Sequence, residues 1–127
     1  MTSAERVCWL ATTRPDGRPH LVPIWFIQDD ERIWIATGAE SAKVVNIASQ
    51  PRVMVGVAGS GSGDDPGDIV FAGIAELVDE APPSVLSQFQ STYGWRPGRE
   101  PDPDIGSVIF IVVTPTRRVM GPSSDVG

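Results

Sequence analysis

The sequence is poor in several residue types on which common functions depend. It has one cysteine, Cys8, which excludes an intrachain disulfide and lies among apolar residues, so we expect a buried, reduced thiol. Its one histidine, His20, has no cysteine or carboxylate cluster at ligand spacing, so no metal site is expected. No apolar run approaches the roughly 20 residues that span a bilayer, and residues 1–6 lack the pattern of a signal peptide. We therefore expect a cytoplasmic protein.

The charge balance is acidic. Ten lysines and arginines stand against 16 aspartates and glutamates, for a formal net charge of −6. Nucleic acids and anionic membranes both require a basic surface, so neither is an expected partner. Nine of the ten basic residues are arginine, and Lys43 is the single lysine. A codon bias accounts for this skew without any function, but Lys43 lies in the most informative segment of the chain.

A chain of 127 residues fits one domain. We expect that domain to occupy residues 1–120, followed by a flexible tail at 121–127. The glycine-rich stretch 59–67 is typical of a connection between hairpin strands, and it does not match a nucleotide-binding fingerprint because a strand pattern follows it. The stretch 95–104 is rich in proline and charge, which indicates an irregular surface segment.

Most of the remaining sequence has the pattern of β-strands. Residues 21–27 are apolar on both alternating faces, as in a strand covered on its outer side by a partner. Within them Pro23 cannot donate a ladder hydrogen bond, which indicates a bulge or an edge position. The predicted strands are 7–13, 21–27, 32–37, 52–58, 69–78 and 107–113, with a further short one at 114–120.

Two short helices are predicted between these strands. Residues 41–48 place Val44, Ile47 and Ala48 on one face, with Ser41 as the N-cap. Residues 82–93 form the second helix, which a proline begins. About six antiparallel strands and two short helices predict a mainly β fold, a small barrel whose openings the helices cover.

The junction between strand 32–37 and the first helix has the features of a phosphate site. Gly38 permits close backbone approach, and a helix N-terminus offers free N–H groups and the positive end of its dipole. Ser41 adds a hydroxyl donor and Lys43 a positive charge. Taken alone, these residues fit a simple cap and a solvated surface lysine slightly better.

Several short motifs together resemble a known family. They occur in one order over residues 7–120: Leu10-Ala11-Thr12, His20 to Phe26, Ala36-Thr37-Gly38, Ser41-x-Lys43-x-x-Asn46, Gly73 to Val78, and Val113 to Arg117. In this order they resemble the pyridoxamine 5'-phosphate oxidase-like split β-barrel superfamily, in its flavin and deazaflavin oxidoreductase branch. The resemblance implies a homodimer with the cofactor at its interface.

The resemblance also implies which residues hold that cofactor. The phosphate is expected at Ser41 and Lys43, and Asn46 is expected to brace the loop from inside. Thr37 and Gly38 would flank the phosphate or the ribityl chain. The ring would lie along the strand segment formed by Pro23, Ile24, Trp25 and Phe26. No catalytic residue and no metal ligand is implied.

Two functions follow from this resemblance. The first is an oxidoreductase that uses coenzyme F420 or FMN and transfers hydride between the cofactor and a small organic substrate, with F420 slightly favoured by Thr-Gly-x-x-Ser-x-Lys-x-x-Asn. The second is a non-enzymatic flavin, deazaflavin or haem binding or storage protein, which is supported by Ala42 and Val45 where relatives often carry basic residues. A nucleic-acid-binding barrel would need a stripe of basic and aromatic residues on one face, and this sequence lacks one.

The roles of several aromatic and basic residues stay open on sequence alone. Trp25 either packs beside the ring or lies in the interface core, since a large aromatic side chain suits both. Tyr93 and Trp95 either cover a substrate pocket or simply pack. Arg117 and Arg118 either reach a cofactor phosphate or pair with surface carboxylates.

Overall fold

A computed structural model describes residues 7–59, 67–98 and 102–120. Within these ranges the chain forms seven strands and two helices, in the order β1 (Cys8–Thr13), β2 (Pro19–Ile24), β3 (Ile27–Asp29), β4 (Arg32–Gly38), α1 (Ala42–Ser49), β5 (Arg52–Val57), β6 (Ile69–Val78), α2 (Pro83–Tyr93) and β7 (Val108–Met120).

All seven strands belong to one antiparallel sheet, in the order β2-β1-β5-β6-β7-β4-β3. The sheet curls into a half-barrel, so the prediction of a mainly β split barrel with short helices is confirmed. β5 and β6 pair directly, with Val57 opposite Ile69, as the hairpin prediction requires. Residues 60–66 of the predicted connection lie outside the described residues, as does the predicted tail at 121–127.

The predicted strand 21–27 is two strands. β2 pairs only with β1 and lies at one edge of the sheet, which confirms the edge position expected from Pro23. β3 pairs with β4 at the opposite edge. Trp25 and Phe26 lie between them in neither strand, so one continuous apolar run serves both ends of the curled sheet.

The predicted strands 107–113 and 114–120 are one strand, β7, which pairs with both β4 and β6. Register shifts opposite Val70/Phe71 and Ala72/Gly73 let β7 continue past Pro115. Proline is tolerated in a strand at such irregularities because no ladder donor is needed there.

The apolar interior forms two clusters. One fills the barrel with side chains from β1, β4, β5, β6 and β7, including Leu10, Ile35 and Val55, each fully buried. The other lies on the opposite side of β4 and β7, where α2 covers the sheet with Val85 and Phe89. α2 therefore seals a second core rather than only an opening.

Both helices begin and end as the sequence pattern indicates. Pro83 is the first residue of α2, and Gly94 ends it in the left-handed conformation, with φ of 73°, which glycine adopts without strain. In α1, Val44 and Ile47 are buried as predicted, but Ala48 is exposed and Asn46 is buried in its place. The helix turns this way because Asn46 has a polar partner in the core.

Candidate functional site

The end of β4 and the start of α1 form one compact corner. Thr37 and Gly38 are buried, and the Ala39 amide donates to the Ser107 carbonyl at 2.8 Å. A Cβ at Gly38 would lie 2.7 Å from the carbonyl oxygen of Ile105. Glycine is therefore required here by the chain's own 102–107 turn, whatever ligand also approaches.

Ser41 is the N-cap residue of α1, but its side chain makes no capping hydrogen bond, so that part of the prediction is wrong. The amides of Val44 and Val45 both donate to the Ser41 carbonyl, at 3.1 and 3.2 Å, so the amide a capping hydroxyl would take is already bonded. The Ser41 Oγ is buried and has no hydrogen-bond partner among the described residues. A buried polar atom without a partner is costly, and a bound anion would satisfy it.

Lys43 lies in the first turn of the same helix and is half-buried. Burial lowers the pKa of its ammonium from the ordinary value of 10.5, because desolvation disfavours the charged form. No ion pair joins Lys43 to a carboxylate among the described residues, so its charge has no described counter-ion. An anion bound beside Lys43 would raise the pKa of the ammonium again, because an opposite charge favours the charged form.

Asn46 fixes α1 to the barrel. Its side-chain amide donates to the Thr12 hydroxyl of β1 at 3.0 Å, and both residues are buried. This contact gives Asn46 a bracing position from inside. Thr12 belongs to the first of the family motifs but was given no role at the site, and only the packing of α1 on β1 reveals that role.

The predicted ring-binding segment lies where the sheet divides. Ile27 is opposite Trp34 in the β3–β4 ladder, and continued pairing would place Trp25 opposite Ala36 and Pro23 opposite Gly38. Instead, Pro23 pairs with Trp9 of β1. The two predicted halves of the site, residues 23–26 and 37–43, therefore flank the gap between diverging strands.

Tyr93, at the end of α2, contacts this gap directly. Its hydroxyl accepts a hydrogen bond from the Phe26 amide at 3.1 Å and donates one to the Phe26 carbonyl at 3.0 Å. Its ring stacks on Trp25 with a centroid distance of 4.4 Å and an interplanar angle of 12°. Trp95 lies 6.4 Å from Trp25, tilted by 55°. Tyr93 and Trp95 thus pack on Trp25, which is still 38 % exposed.

Arg117 and Arg118 lie far from Ser41 and Lys43 along the sheet. They line a groove of about 670 Å³ with Phe26 and Arg32, at the opposite end of β4 from α1. Val108 is opposite Gly38 in the β4–β7 ladder, and Arg117 follows Val108 by nine residues, about 30 Å of strand. These arginines do not join the phosphate corner of their own chain.

Among the residues that the structure describes, the remaining reactive side chains form no second site. Cys8 is free and fully buried, and burial raises the pKa of its thiol to about 12, so the predicted burial of this thiol is confirmed. The Nδ1 atom of His20 is buried without a hydrogen-bond partner among the described residues. Across those same ranges, no cluster of three or more potential ligands is placed to hold a metal ion. No helix in the described chain is long and apolar enough to cross a membrane.

Exposed apolar side chains are grouped on the outer face of β2, β1, β5 and β6, with the exposed Arg52 opposite Ile74 at its edge. Ala11 is opposite Leu21 on one side and Met54 on the other, and the alternation of each strand brings Trp9 and Ile74 to the same face. Leu21 is 60 % and Trp9 45 % exposed. We call these four large side chains, Trp9, Leu21, Met54 and Ile74, the outer apolar face.

Comparison with known proteins places this geometry in context. The sequence profile described as pyridoxamine 5'-phosphate oxidase matches residues 1–119. An F420 reductase of known structure is 29 % identical, with 89 % of this chain and 88 % of that chain covered and a TM-score of 0.68. No protein in the curated set matches the sequence.

Two more distant structures share the fold alone. A pyridoxamine 5'-phosphate oxidase-related, FMN-binding protein from Nostoc punctiforme is 22 % identical over 87 % of this chain and 70 % of that one, with a TM-score of 0.60. The haem storage protein from Vibrio cholerae is 14 % identical over 94 % of this chain and 90 % of that one, with a TM-score of 0.62.

Proposed function

The chain belongs to the pyridoxamine 5'-phosphate oxidase family, and from that membership we propose that it is an oxidoreductase using a phosphorylated flavin-type cofactor, coenzyme F420 or FMN. The substrate would be a small organic molecule. The first α1 turn is the observation that carries the proposal: a buried Ser41 hydroxyl without a hydrogen-bond partner lies two residues from a half-buried Lys43 without a described counter-ion.

The donor set at this turn fits a phosphate. A helix N-terminus supplies free backbone N–H groups and a positive partial charge. Ser41 supplies one neutral donor, and Lys43 supplies a full charge whose desolvation has already lowered its pKa. A phosphate bonded there would satisfy the hydroxyl and compensate the ammonium at once. Gly38 and Thr37 would border the phosphate as the backbone leaves β4.

The segment from Pro23 to Phe26 would hold the ring. It follows the gap between β2 and β4, and Trp25 and Phe26 lie in neither β2 nor β3. The cofactor supplies the hydride chemistry, so the protein has to bind it, orient it and exclude water. This division of labour agrees with a proposed site in which the described residues include no acid–base pair.

We further propose that the active form is a homodimer joined through the outer apolar face. Monomers seldom leave large apolar patches exposed, and self-complementary patches favour symmetric pairs. Pro23 is on the same face as Trp9, opposite it in the ladder. The proposed ring segment would therefore border the dimer interface.

F420 is favoured slightly over FMN. The F420 reductase shares 29 % of its residues with this chain, whereas the FMN-binding protein from Nostoc shares 22 %. The alternative function is non-enzymatic binding or storage of a flavin, deazaflavin or haem. It is supported by α1, where Ala42 and Val45 are exposed and uncharged beside Lys43, which weakens the hold on an anion.

The test is a fluorescence titration of cofactor-free protein with F420, FMN and haem in turn. Lys43→Ala and Ser41→Ala should each weaken binding of the preferred cofactor, Lys43→Ala at least tenfold, about 1.4 kcal/mol. Arg32→Ala is the matched control, since it removes an equal charge from the far end of β4, about 20 Å from Gly38.

Binding of neither F420 nor FMN would refute the oxidoreductase. Tight binding without any substrate-dependent change in cofactor absorbance, over a panel of small organic acceptors, would favour storage.

A further inference from the structure

The main chain between β2 and β3 needs hydrogen-bond partners in place of those that a sheet ladder supplies. Ile24 ends β2 and Ile27 begins β3, and Trp25 and Phe26 lie between the two. Buried or half-buried main-chain groups must find hydrogen bonds elsewhere when a strand pair separates. At Phe26, whose side chain is buried in the barrel core, the partner is a side chain from a helix 67 residues away in sequence.

Tyr93 satisfies both main-chain groups of that residue. A phenol has one donor and can also accept, and here it accepts from the Phe26 amide and donates to the Phe26 carbonyl. The same side chain stacks its ring on Trp25 in near-parallel contact. Tyr93 therefore holds both the main chain of Phe26 and the indole ring of the preceding residue, Trp25.

The packing of the rest of α2 fixes the position of the Tyr93 side chain. Phe89, one helical turn before Tyr93, is fully buried in the second core and lies 6.2 Å from the rings of both Tyr93 and Trp95. Gly94 then ends the helix at once. The phenol is thus anchored in a packed core while its hydroxyl bonds the segment between β2 and β3.

We propose that Tyr93 is a positioning residue that sets the conformation of the ring-binding segment at Trp25 and Phe26. This rests on the proposed function, because the segment matters only if a flavin-type ring lies along it. Tyr93 acts through the segment and does not itself contact the cofactor in this proposal. The consequence is that cofactor affinity depends on one hydroxyl of α2.

The chain contains a single tyrosine, which allows a direct test. Growth with 3-fluorotyrosine labels Tyr93 alone in otherwise native protein, and ¹⁹F NMR then reports its environment. Titration with the cofactor that the wild-type protein binds should shift this one resonance. Tyr93→Phe, which keeps the stacking ring and removes both hydrogen bonds, should weaken that binding at least tenfold and change the absorbance spectrum of the bound cofactor.

Gln88→Leu is the matched control. The Gln88 side chain donates to Asp29 Oδ1 at 2.9 Å, so it joins the same helix to the same part of the chain, but past the division of the sheet. It should lower stability as Tyr93→Phe does while leaving cofactor affinity within twofold of wild type. The two variants thereby separate a loss of stability from a loss of positioning.

The outcomes distinguish this inference from the function on which it rests. If wild-type protein binds neither F420 nor FMN, the proposed function fails and takes this inference with it. If wild-type protein binds and Tyr93→Phe binds equally well, or both variants weaken binding alike, only the inference is overturned. Should Tyr93→Phe not fold, an unmoved ¹⁹F resonance on saturation of the labelled protein overturns it.

Discussion

Asn46 and Thr12 share a hydrogen bond of 3.0 Å inside the barrel, between the helix that begins at the proposed phosphate corner and the first strand. Both side chains are 2 % exposed, so the bond lies in a region of low dielectric. It links the position of α1, and with it Ser41 and Lys43, to the core of the sheet.

We expect Asn46→Ala to lower the free energy of unfolding by about 1–3 kcal/mol, because it removes the bond and leaves a buried hydroxyl unsatisfied. Thr12→Val should cost a similar amount by stranding the amide. The double variant should cost less than the sum, since neither polar group then remains. Urea denaturation of all four proteins measures the coupling; strictly additive losses would contradict it.

Lys43 should reduce the stability of the ligand-free protein at neutral pH. Its folded pKa is lowered by burial, so between that pKa and 10.5 the unfolded chain binds more protons than the folded chain. The contribution of Lys43 to stability therefore rises with pH across this window. We expect Lys43→Met to be more stable than wild type at pH 7, with a difference that shrinks towards pH 10.5.

The measurement for Lys43 is the difference in unfolding free energy between the two proteins at several pH values. Cys8 also contributes in this range, because burial raises the pKa of its thiol from 9.0 to about 12, but it is present in both proteins and its contribution cancels. Curves that stay parallel from pH 7 to pH 10 would show that burial of the ammonium has no energetic effect. If the Lys43→Met protein is more stable but binds cofactor weakly, Lys43 serves cofactor binding at a cost in stability.

Gly38→Ala should destabilise the fold by about 1–3 kcal/mol, as overpacking does. The new methyl group would lie 2.7 Å from the Ile105 carbonyl, a backbone atom that cannot rotate away. Gly98→Ala is the control, since nothing lies within 4 Å of its added Cβ. Thermal and urea unfolding compare the two, and equal stability would mean that the 102–107 turn yields freely.

The outer apolar face should control the oligomeric state. Leu21→Glu and Trp9→Glu place a charge on adjacent strands of that face, and we expect each to shift the protein to monomers in sedimentation velocity. Val45→Glu, at an exposed apolar side chain on α1 rather than on the sheet, should leave the association unchanged. A wild-type protein that sediments as a monomer at micromolar concentration would contradict the proposed interface.

Local patterns were sufficient for both helices, for most of the strands and for one half of the site, but not for the division of 21–27 or the union of 107–113 with 114–120. Residues 37–46 are close in sequence, so a strand end, a glycine and a helix N-terminus come together without any long-range information. The prediction was wrong about the Ser41 cap, because carbonyl and hydroxyl compete for the same amide. The helix spacing of Phe89 and Tyr93 could have placed Tyr93 inward, but no local signal names its partner.

The sequence by itself determined that the chain is mainly β, that short helices follow the strands predicted at 32–37 and 69–78, and that Ser41 and Lys43 share one helical turn. Periodicity and capping are local, so residues a few positions apart encode them. The tertiary structure alone decided that an apolar run divides at Trp25 and that Tyr93 bonds the main chain of Phe26 there. It also decided that Arg117 and Arg118 lie at the far end of β4. These depend on which distant strands pair, and pairing is set by the packing of the whole sheet.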